Sequence, residues 1–265
     1  MRMNKNIQDP ENHILSIQVS LDGFSFYVKN DSDSTCIESD SFQFDHIQAP
    51  EQALIKIKEI FAALPLLNNT FKEVVVIYDN ELFTLVPESL FDQNNLADYL
   101  KFNTKILKTD FTVFDELDDF KLINVYIPFS NINNFFFDHF GTFTFFHSQT
   151  VFLSSILSSE DQNDGVKQVH VHISETSIAV IAHKNDQLLL NNRFNYENAA
   201  DCVYYILYCY EQLQLDPEVN PIVLHGIVSE NDAIYNLIYD YIRNVRIEQA
   251  NTQSTALKNT YLQYT

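Results

Sequence analysis

An order of elements that occurs twice constrains this chain more than any other feature. Ile14, Leu15, Ile17, Val19 and Leu21 lead into Asp22-Gly23, and Phe24, Phe26 and Val28 follow, a pattern that predicts a β-hairpin. A third strand is expected over Thr35–Phe44, past the polar loop Asn30–Ser34. Residues Pro50–Leu64 read as a helix, because Ala53, Leu54, Ile57, Ile60, Phe61 and Leu64 fall on one face and Pro50 suits its first turn. The continuous run Glu73–Tyr78 reads as a strand buried on both faces. The second half repeats this order. Strands are expected over Lys167–Ile173, Ser177–Ala182 after a turn at Glu175–Thr176, and Gln187–Phe194 after the turn Lys184–Asp186. A helix follows over Asn198–Leu213, its apolar face carrying Val203, Ile206, Leu207, Tyr210 and Leu213, and then a buried strand, Pro221–Leu224. The offsets are about 154 positions at the first strand, 147 at the helix and 148 at the buried strand. Offsets that constant indicate an internal duplication, two βββαβ lobes.

The middle region, Thr84–Asp164, interrupts the repeat. It predicts a helix around Asn94–Phe102, an acidic stretch at Asp110–Asp119, then strand Leu122–Ile127, helix Asn131–His139, strand Thr142–His147 and a short helix Thr150–Ser158. This strand-helix unit is expected to be an inserted subdomain. Ser158–Gly165, SSEDQNDG, is the best linker. The expected division is a first lobe over 13–160, including an insert over about 84–160, and a second lobe over 161–265; residues 1–12 are polar and expected to fray.

Composition excludes several classes. Of the 265 residues 46% are hydrophobic, enough for a sizeable core, and no run is long enough to enter a membrane directly as a helix. The start, MRMNKNIQDPENH, lacks the apolar segment of a secretory signal. Sixteen basic against thirty-six acidic residues give a net charge of −20, which argues against nucleic acid and anionic lipid as partners. Cys36, Cys202 and Cys209 suit neither a disulfide framework nor zinc, so a reducing, cytoplasmic setting is expected. Four glycines in the whole chain leave almost none for phosphate-cradling turns.

Duplicated βββαβ lobes resemble the actin-like ATPase superfamily, the ribonuclease H-like fold of sugar kinases, Hsp70 chaperones and actin. The element order, with an insert before the second lobe, is most similar to the pilus-assembly and cell-division branch. QVHVHISETSIAVIAHKNDQLLLNNRF resembles that branch's second phosphate hairpin. The phrase TLVPESLFDQNNLADYLKFN after VVVIYDN is similar to an uncharacterised bacterial domain-of-unknown-function family assigned to the same fold. The resemblance covers about Ile14 to Ile247. It implies an α/β protein with a cleft between its lobes, where active relatives hold ATP and magnesium.

The phosphate motifs of such relatives are degenerate here. Active members carry Asp-x-Gly in the first hairpin; aligning on Gly23 puts Leu21 in the aspartate's place, with Asp22 one step off and hence on the opposite face. The corresponding triplet of the second hairpin is His172-Ile173-Ser174. The third motif, normally with two glycines, is Val223-Leu224-His225-Gly226-Ile227. Phosphoryl transfer needs metal and positioning together, so an efficient ATPase is not expected. The leading reading is a non-catalytic binding or scaffold protein without cofactor or metal. The alternative is a nucleotide-binding protein or weak ATPase with Asp22, Gly23, Ser25, Thr176 and Gly226 around the nucleotide. A third is a hydrolase or transferase with a different site in the same cleft.

Other groups carry bland and sharp readings. His170 and His172 share a strand face and could ligate a metal, but no third ligand is identifiable, so a solvated or hydrogen-bonded pair is expected. Cys202 and Cys209 share a helix face as small apolar packers. Asp115-Glu116 and Asp118-Asp119 read as a solvated loop, or as a dock for a basic partner. Asn131–Phe146 holds seven phenylalanines, and three adjacent ones in a helix cannot all face one core. Phe137 and Phe140 are therefore the expected contact residues for a protein partner or a second copy, against core packing; Tyr204, Tyr205, Tyr208 and Tyr210 pose the same choice.

Overall fold

The computed structural model describes residues 12–45, 47, 49–101, 106–107, 110–158, 165–248 and 260–264. The expected fraying of the N-terminus and most of the linker Ser158–Gly165 lie outside these. Strands β1 (His13–Val19), β2 (Gly23–Asn30) and β3 (Cys36–Gln43) form an antiparallel meander, α1 (Pro50–Ala63) crosses over, and β4 (Glu73–Tyr78) lies parallel to β1. The α1 helix opens with Pro50 at its first turn and buries Ala53, Ile57, Ile60 and Phe61.

The chain then leaves the sheet. β5 (Phe83–Pro87), α2 (Leu96–Leu100), β6 (Val113–Leu117) and β7 (Leu122–Tyr126) build a small three-stranded antiparallel sheet of order β5-β7-β6. α3 (Ser130–Phe140) returns to the first core, and β8 (Thr144–His147) pairs parallel with β4. This strand, which sequence grouping puts in the insert, is the fifth strand of the first sheet, β3-β2-β1-β4-β8. α3 stops at Gly141, whose φ of +75° suits glycine and whose N–H donates to Phe137 O at 2.9 Å.

After α4 (Ser148–Ser158) the second sheet repeats the first. β9 (Gln168–Ile173), β10 (Ser177–Lys184) and β11 (Gln187–Asn195) form the meander, α5 (Ala199–Gln212) the crossover, and β12 (Ile222–Gly226), α6 (Ala233–Tyr241) and β13 (Val245–Ile247) complete the order β11-β10-β9-β12-β13. Each lobe is thus βββαβαβ, one helix and strand longer than the expected unit; β13 is three residues long and leaves little periodicity to read. α5 and α6 are capped by Asn198 and Asp232, whose side chains accept from Asp201 and Tyr235 N–H.

The two hairpins lie in separate sheets at equivalent positions. Val19 pairs with Phe24 as Ile173 pairs with Ile178, 154 positions on. Ser20 N–H donates to Gly23 O at 3.0 Å, and Ser174 N–H to Ser177 O at 2.9 Å. Each sheet has its own core under its helices, and a third cluster joins them. In that cluster Phe152, Leu153 and Ile156 of α4 are packed between Tyr27 and Ile77 of the first sheet and Ala179 and Ile181 of the second. Among the described residues no helix is long and apolar enough to cross a membrane.

Two expectations about single groups change. The acidic stretch is not a solvated loop throughout: β6 runs through it, and Asp115 is buried, accepting from Tyr126 Oη, His147 N–H and Thr150 Oγ1 at 3.0, 2.9 and 2.6 Å. A carboxylate can sit there because three donors from β7, the end of β8 and α4 satisfy it, beside the positive N-terminal end of α4. Phe140 packs on the first core beside Phe61, whereas Phe137 is 60% exposed. Of the two alternatives for His170 and His172, solvated or hydrogen-bonded, the second holds: both are buried, with His225 and Ser174 as respective partners. Cys202 and Cys209 are buried in the second core as expected, with burial pushing their thiols up to about 12 and about 11.

Candidate functional site

The tips of the two equivalent hairpins face each other across the cleft between the sheets. The loops are Ser20-Leu21-Asp22 and Ser174-Glu175-Thr176, and Thr176 Oγ1 donates to Asp22 Oδ2 at 3.3 Å, a bond between positions related by the duplication. Beside it Gln43, at the end of β3, donates to Glu175. Both bonds cross from one lobe to the other.

Behind these tips is a small cavity of about 100 Å³. Gln18, Ser20, Asp22, Gly23, Ser25, Ser41, Ser174, Glu175 and Thr176 line it, with Asp79 and Arg193. Four of the five sequence candidates, Asp22, Gly23, Ser25 and Thr176, therefore share one site. Leu21 turns toward the first core while Asp22 is exposed at the cleft, as alternation across a one-residue shift requires. Ser25 is engaged with Ser41 across the strand pair, Oγ to Oγ at 2.8 Å.

Gly226 does not line the cavity. Its φ is +86°, and a Cβ there would stand 2.1 Å from Ile173 O, which already accepts from Ile227 N–H at 2.9 Å. The glycine permits close approach of two backbones inside the second sheet. Gly23 is similarly tight, with a Cβ position 2.7 Å from Phe42 O.

Asp79 and Arg193 are absent from any sequence motif, yet they hold the cleft's floor. Asp79 follows the last residue of β4, where ligands of open α/β sheets bind, and that position was the one available signal. Its carboxylate takes Arg193 Nη1 at 2.6 Å and Nη2 at 3.4 Å from β11 of the other lobe, and Ser148 Oγ at 2.8 Å. Burial, the largest single influence, opposes ionisation of Asp79, but the Arg193 charge together with the hydrogen bonds from Arg193 and Ser148 outweighs it and holds the carboxyl below its ordinary value. Burial is likewise the largest influence on the guanidinium and disfavours its charge, but the charge and hydrogen bond of Asp79, with Tyr261 and Glu81, together raise its pKa. The pair is an interlobe clasp.

Histidines surround this floor. His147 is fully buried: Gln149 N–H donates to its Nδ1 at 3.1 Å, so Nε2 carries the proton and donates to Asn80 O at 3.1 Å. On the second sheet His170 Nδ1 and His225 Nε2 stand 3.1 Å apart, and His172 stacks on Tyr261 at 4.2 Å. Burial pushes His147 and His172 down to about 4 and His170 to about 3. His225 is lowered as well, first by burial and then by His170 and His172. Among the described residues no three groups are placed to hold a metal ion.

The last segment, Tyr261–Tyr264, is a 3-10 turn lying across the same cleft. Tyr261 N–H donates to Gln18 Oε1 at 2.7 Å, and Tyr264 stacks on Phe152 at 5.5 Å.

The site fits a magnesium nucleotide poorly. Ligand pockets usually enclose about 300–1,000 Å³, and here the lining carries Asp22, Asp79 and Glu175 against one cation, Arg193, already bound to Asp79.

A family described as Protein of unknown function (DUF3822) matches residues 2–245. No curated protein matches. Among solved structures, a protein with actin-like ATPase fold and unknown function from Bacteroides thetaiotaomicron VPI-5482 is 20% identical, with 97% of this chain and 99% of that one covered at a TM-score of 0.83. The PilM-PilN type IV pilus biogenesis complex covers 96% and 97% at 11% identity and a TM-score of 0.58. The ethanolamine utilization protein EutJ from Carboxydothermus hydrogenoformans covers 98% and 91% at 7% identity and 0.53. These likenesses establish the actin-like fold.

Proposed function

Because the chain belongs to the family described as Protein of unknown function (DUF3822) and has the actin-like fold, we propose that it is a non-catalytic binding or scaffold protein, with lobes 13–160 and 161–265 held closed. One observation carries this reading: the space where active relatives hold a nucleotide is about 100 Å³, bridged by Asp22–Thr176 and Gln43–Glu175 at its mouth and by Asp79–Arg193 at its floor. A triphosphate would meet three carboxylates, and its entry would break bonds that hold the lobes together.

Thermal-shift measurement with ATP or ADP and magnesium tests it. A ligand at 100 times its dissociation constant stabilises by roughly 2.7 kcal/mol. No shift, with ATP turnover at background, is the expected result. A shift of several degrees that disappears in Asp22→Ala would replace this reading with nucleotide binding through Asp22, Ser25 and Thr176.

A scaffold implies a protein partner, and the PilM-PilN structure offers a precedent of the same fold in a protein complex. Phe137 supports one contact point. Ile132 and Phe136 face inward with no exposure, Phe135 packs on Phe61 at 5.2 Å, and Phe137 turns outward. Covering most of its ring contributes on the order of 2 kcal/mol. Phe137→Ser is expected to leave the melting temperature of the monomer nearly unchanged and to weaken association. Loss of several degrees with unaltered association would mark Phe137 as ordinary packing.

A further inference from the structure

The geometry points to a second binding site, a groove between β5 and β11 that takes an extended segment of a partner polypeptide with alternating aliphatic and basic side chains. This deepens the scaffold reading and rests on it for the need of a partner.

Both strands are sheet edges: among the described residues β5 is paired to β7 alone and β11 to β10 alone. They flank one groove of about 660 Å³, well within the size of ligand sites. Consecutive residues of both strands line it, so their backbones as well as their side chains face it.

Register tells which backbone groups are idle. Ile127 N–H donates to Leu82 O and Glu88 N–H to Lys121 O, so in the antiparallel alternation Leu82, Thr84 and Val86 are bonded to β7, and Phe83 and Leu85 point their N–H and C=O away from it. Tyr196 N–H donates to Thr176 O, which by the same alternation turns the backbone groups of Asn191, Arg193 and Asn195 away from β10. An added strand supplies N–H and C=O at that spacing.

A second, independent observation is the Asn191 side chain. It lines the groove, and both its Oδ1 and its Nδ2 are buried without a hydrogen-bond partner among the described residues. An amide with an idle donor and acceptor is complemented by a peptide unit, which offers one of each. Leaving it unpaired is costly, which is the expected state of a recognition residue before its ligand arrives. The groove also sets the side chains of its guest. Leu85 and Leu188 rest on the interlobe cluster and form an apolar floor; the lining's Arg193 is neutralised by Asp79, so Glu81 and a net charge of −20 favour a cation.

The test uses the full chain and a fluorescein-labelled peptide of about eight residues alternating valine and lysine, followed by fluorescence anisotropy. A control peptide of the same side chains is N-methylated at alternate residues, which removes backbone donors and keeps the charge. Saturable binding of the first peptide and at least roughly tenfold weaker binding of the second is expected, with slowed amide exchange at Phe83 and Leu85. Asn191→Leu should weaken the peptide roughly tenfold while leaving or raising the melting temperature; Leu85→Pro, tolerated at an edge, should do likewise to binding. Equal binding of both peptides, binding unaffected by Asn191→Leu, or none at about 1 mM peptide would each overturn the proposal. Self-association abolished by Asn191→Leu would overturn it in favour of a second copy. None of these results depends on the nucleotide measurement, so the two readings fail separately.

Discussion

Lowering the pH from about 7.5 to about 5 is expected to unfold this protein. His147, His170 and His172 are held neutral by burial, with pKa values pushed down to about 4, 3 and 4. In the unfolded chain each regains an ordinary value near 6.5. A base whose folded pKa is depressed stabilises nothing extra above the unfolded value; as pH falls below about 6.5 the unfolded chain takes protons that the folded one refuses. At pH 5 that difference is about 2 kcal/mol for each histidine and about 6 kcal/mol for the three, comparable to the whole stability of a typical domain. His225 and His183, lowered mainly by burial, act in the same direction. Asp115, raised by burial, acts the opposite way at lower pH, because its folded form keeps a proton more readily than the unfolded one. Denaturant titrations across this range should have a slope of about 4 kcal/mol per pH unit near pH 5.5, three protons' worth. His172→Gln should reduce that slope by about a third. Stability unchanged down to pH 5 would mean that these rings are open to water.

Arg193→Ala is the substitution with the largest expected cost. It leaves the Asp79 carboxylate buried with Ser148 as its remaining close donor, and breaking a buried pair from one side costs about 3–5 kcal/mol. For a chain of this size that lowers the melting temperature by about 10 °C. Replacing both partners with apolar residues of similar volume, Arg193→Met with Asp79→Leu, should recover most of the loss, because no charge is then stranded. A double-mutant cycle by denaturant unfolding measures the difference. If Arg193→Ala costs less than about 1 kcal/mol, the pair is solvated and does not clasp the lobes.

The duplication, both hairpins, the crossover helices and the buried central strands were legible in the residues. Each is written in local periodicity: alternation for β2, helical spacing with a leading proline for α1, an unbroken Val/Ile run for β4. Such patterns depend on which face a neighbouring layer covers, and both lobes cover the same faces. Three short strands were not legible, although β7, β8 and β12, equally short, were. The charges of β6 disguise it as a loop, β5 runs into the following turn at Pro87, and β13 has three residues, too few for a period.

The site divides along the same line. Asp22, Gly23, Ser25 and Thr176 sit in turns and strand starts whose positions follow from the hairpins, so a single chain could nominate them. Asp79, Arg193 and His147 could not be found that way, and His170, His172 and His225, though visible on their strands, carried no sign of their burial. Arg193 lies 114 positions from Asp79, and nothing local marks either as a partner of the other. An ion pair, a buried carboxylate such as Asp115 held by donors from three elements, or a groove between two sheet edges exists only once separate elements are brought together. Sequence by itself determined which segments become strands and helices and that they come in two like sets, because those depend on each segment's own apolar pattern. Tertiary structure alone decided what the cleft can hold, because the two lobes' approach sets its volume and pairs its charges.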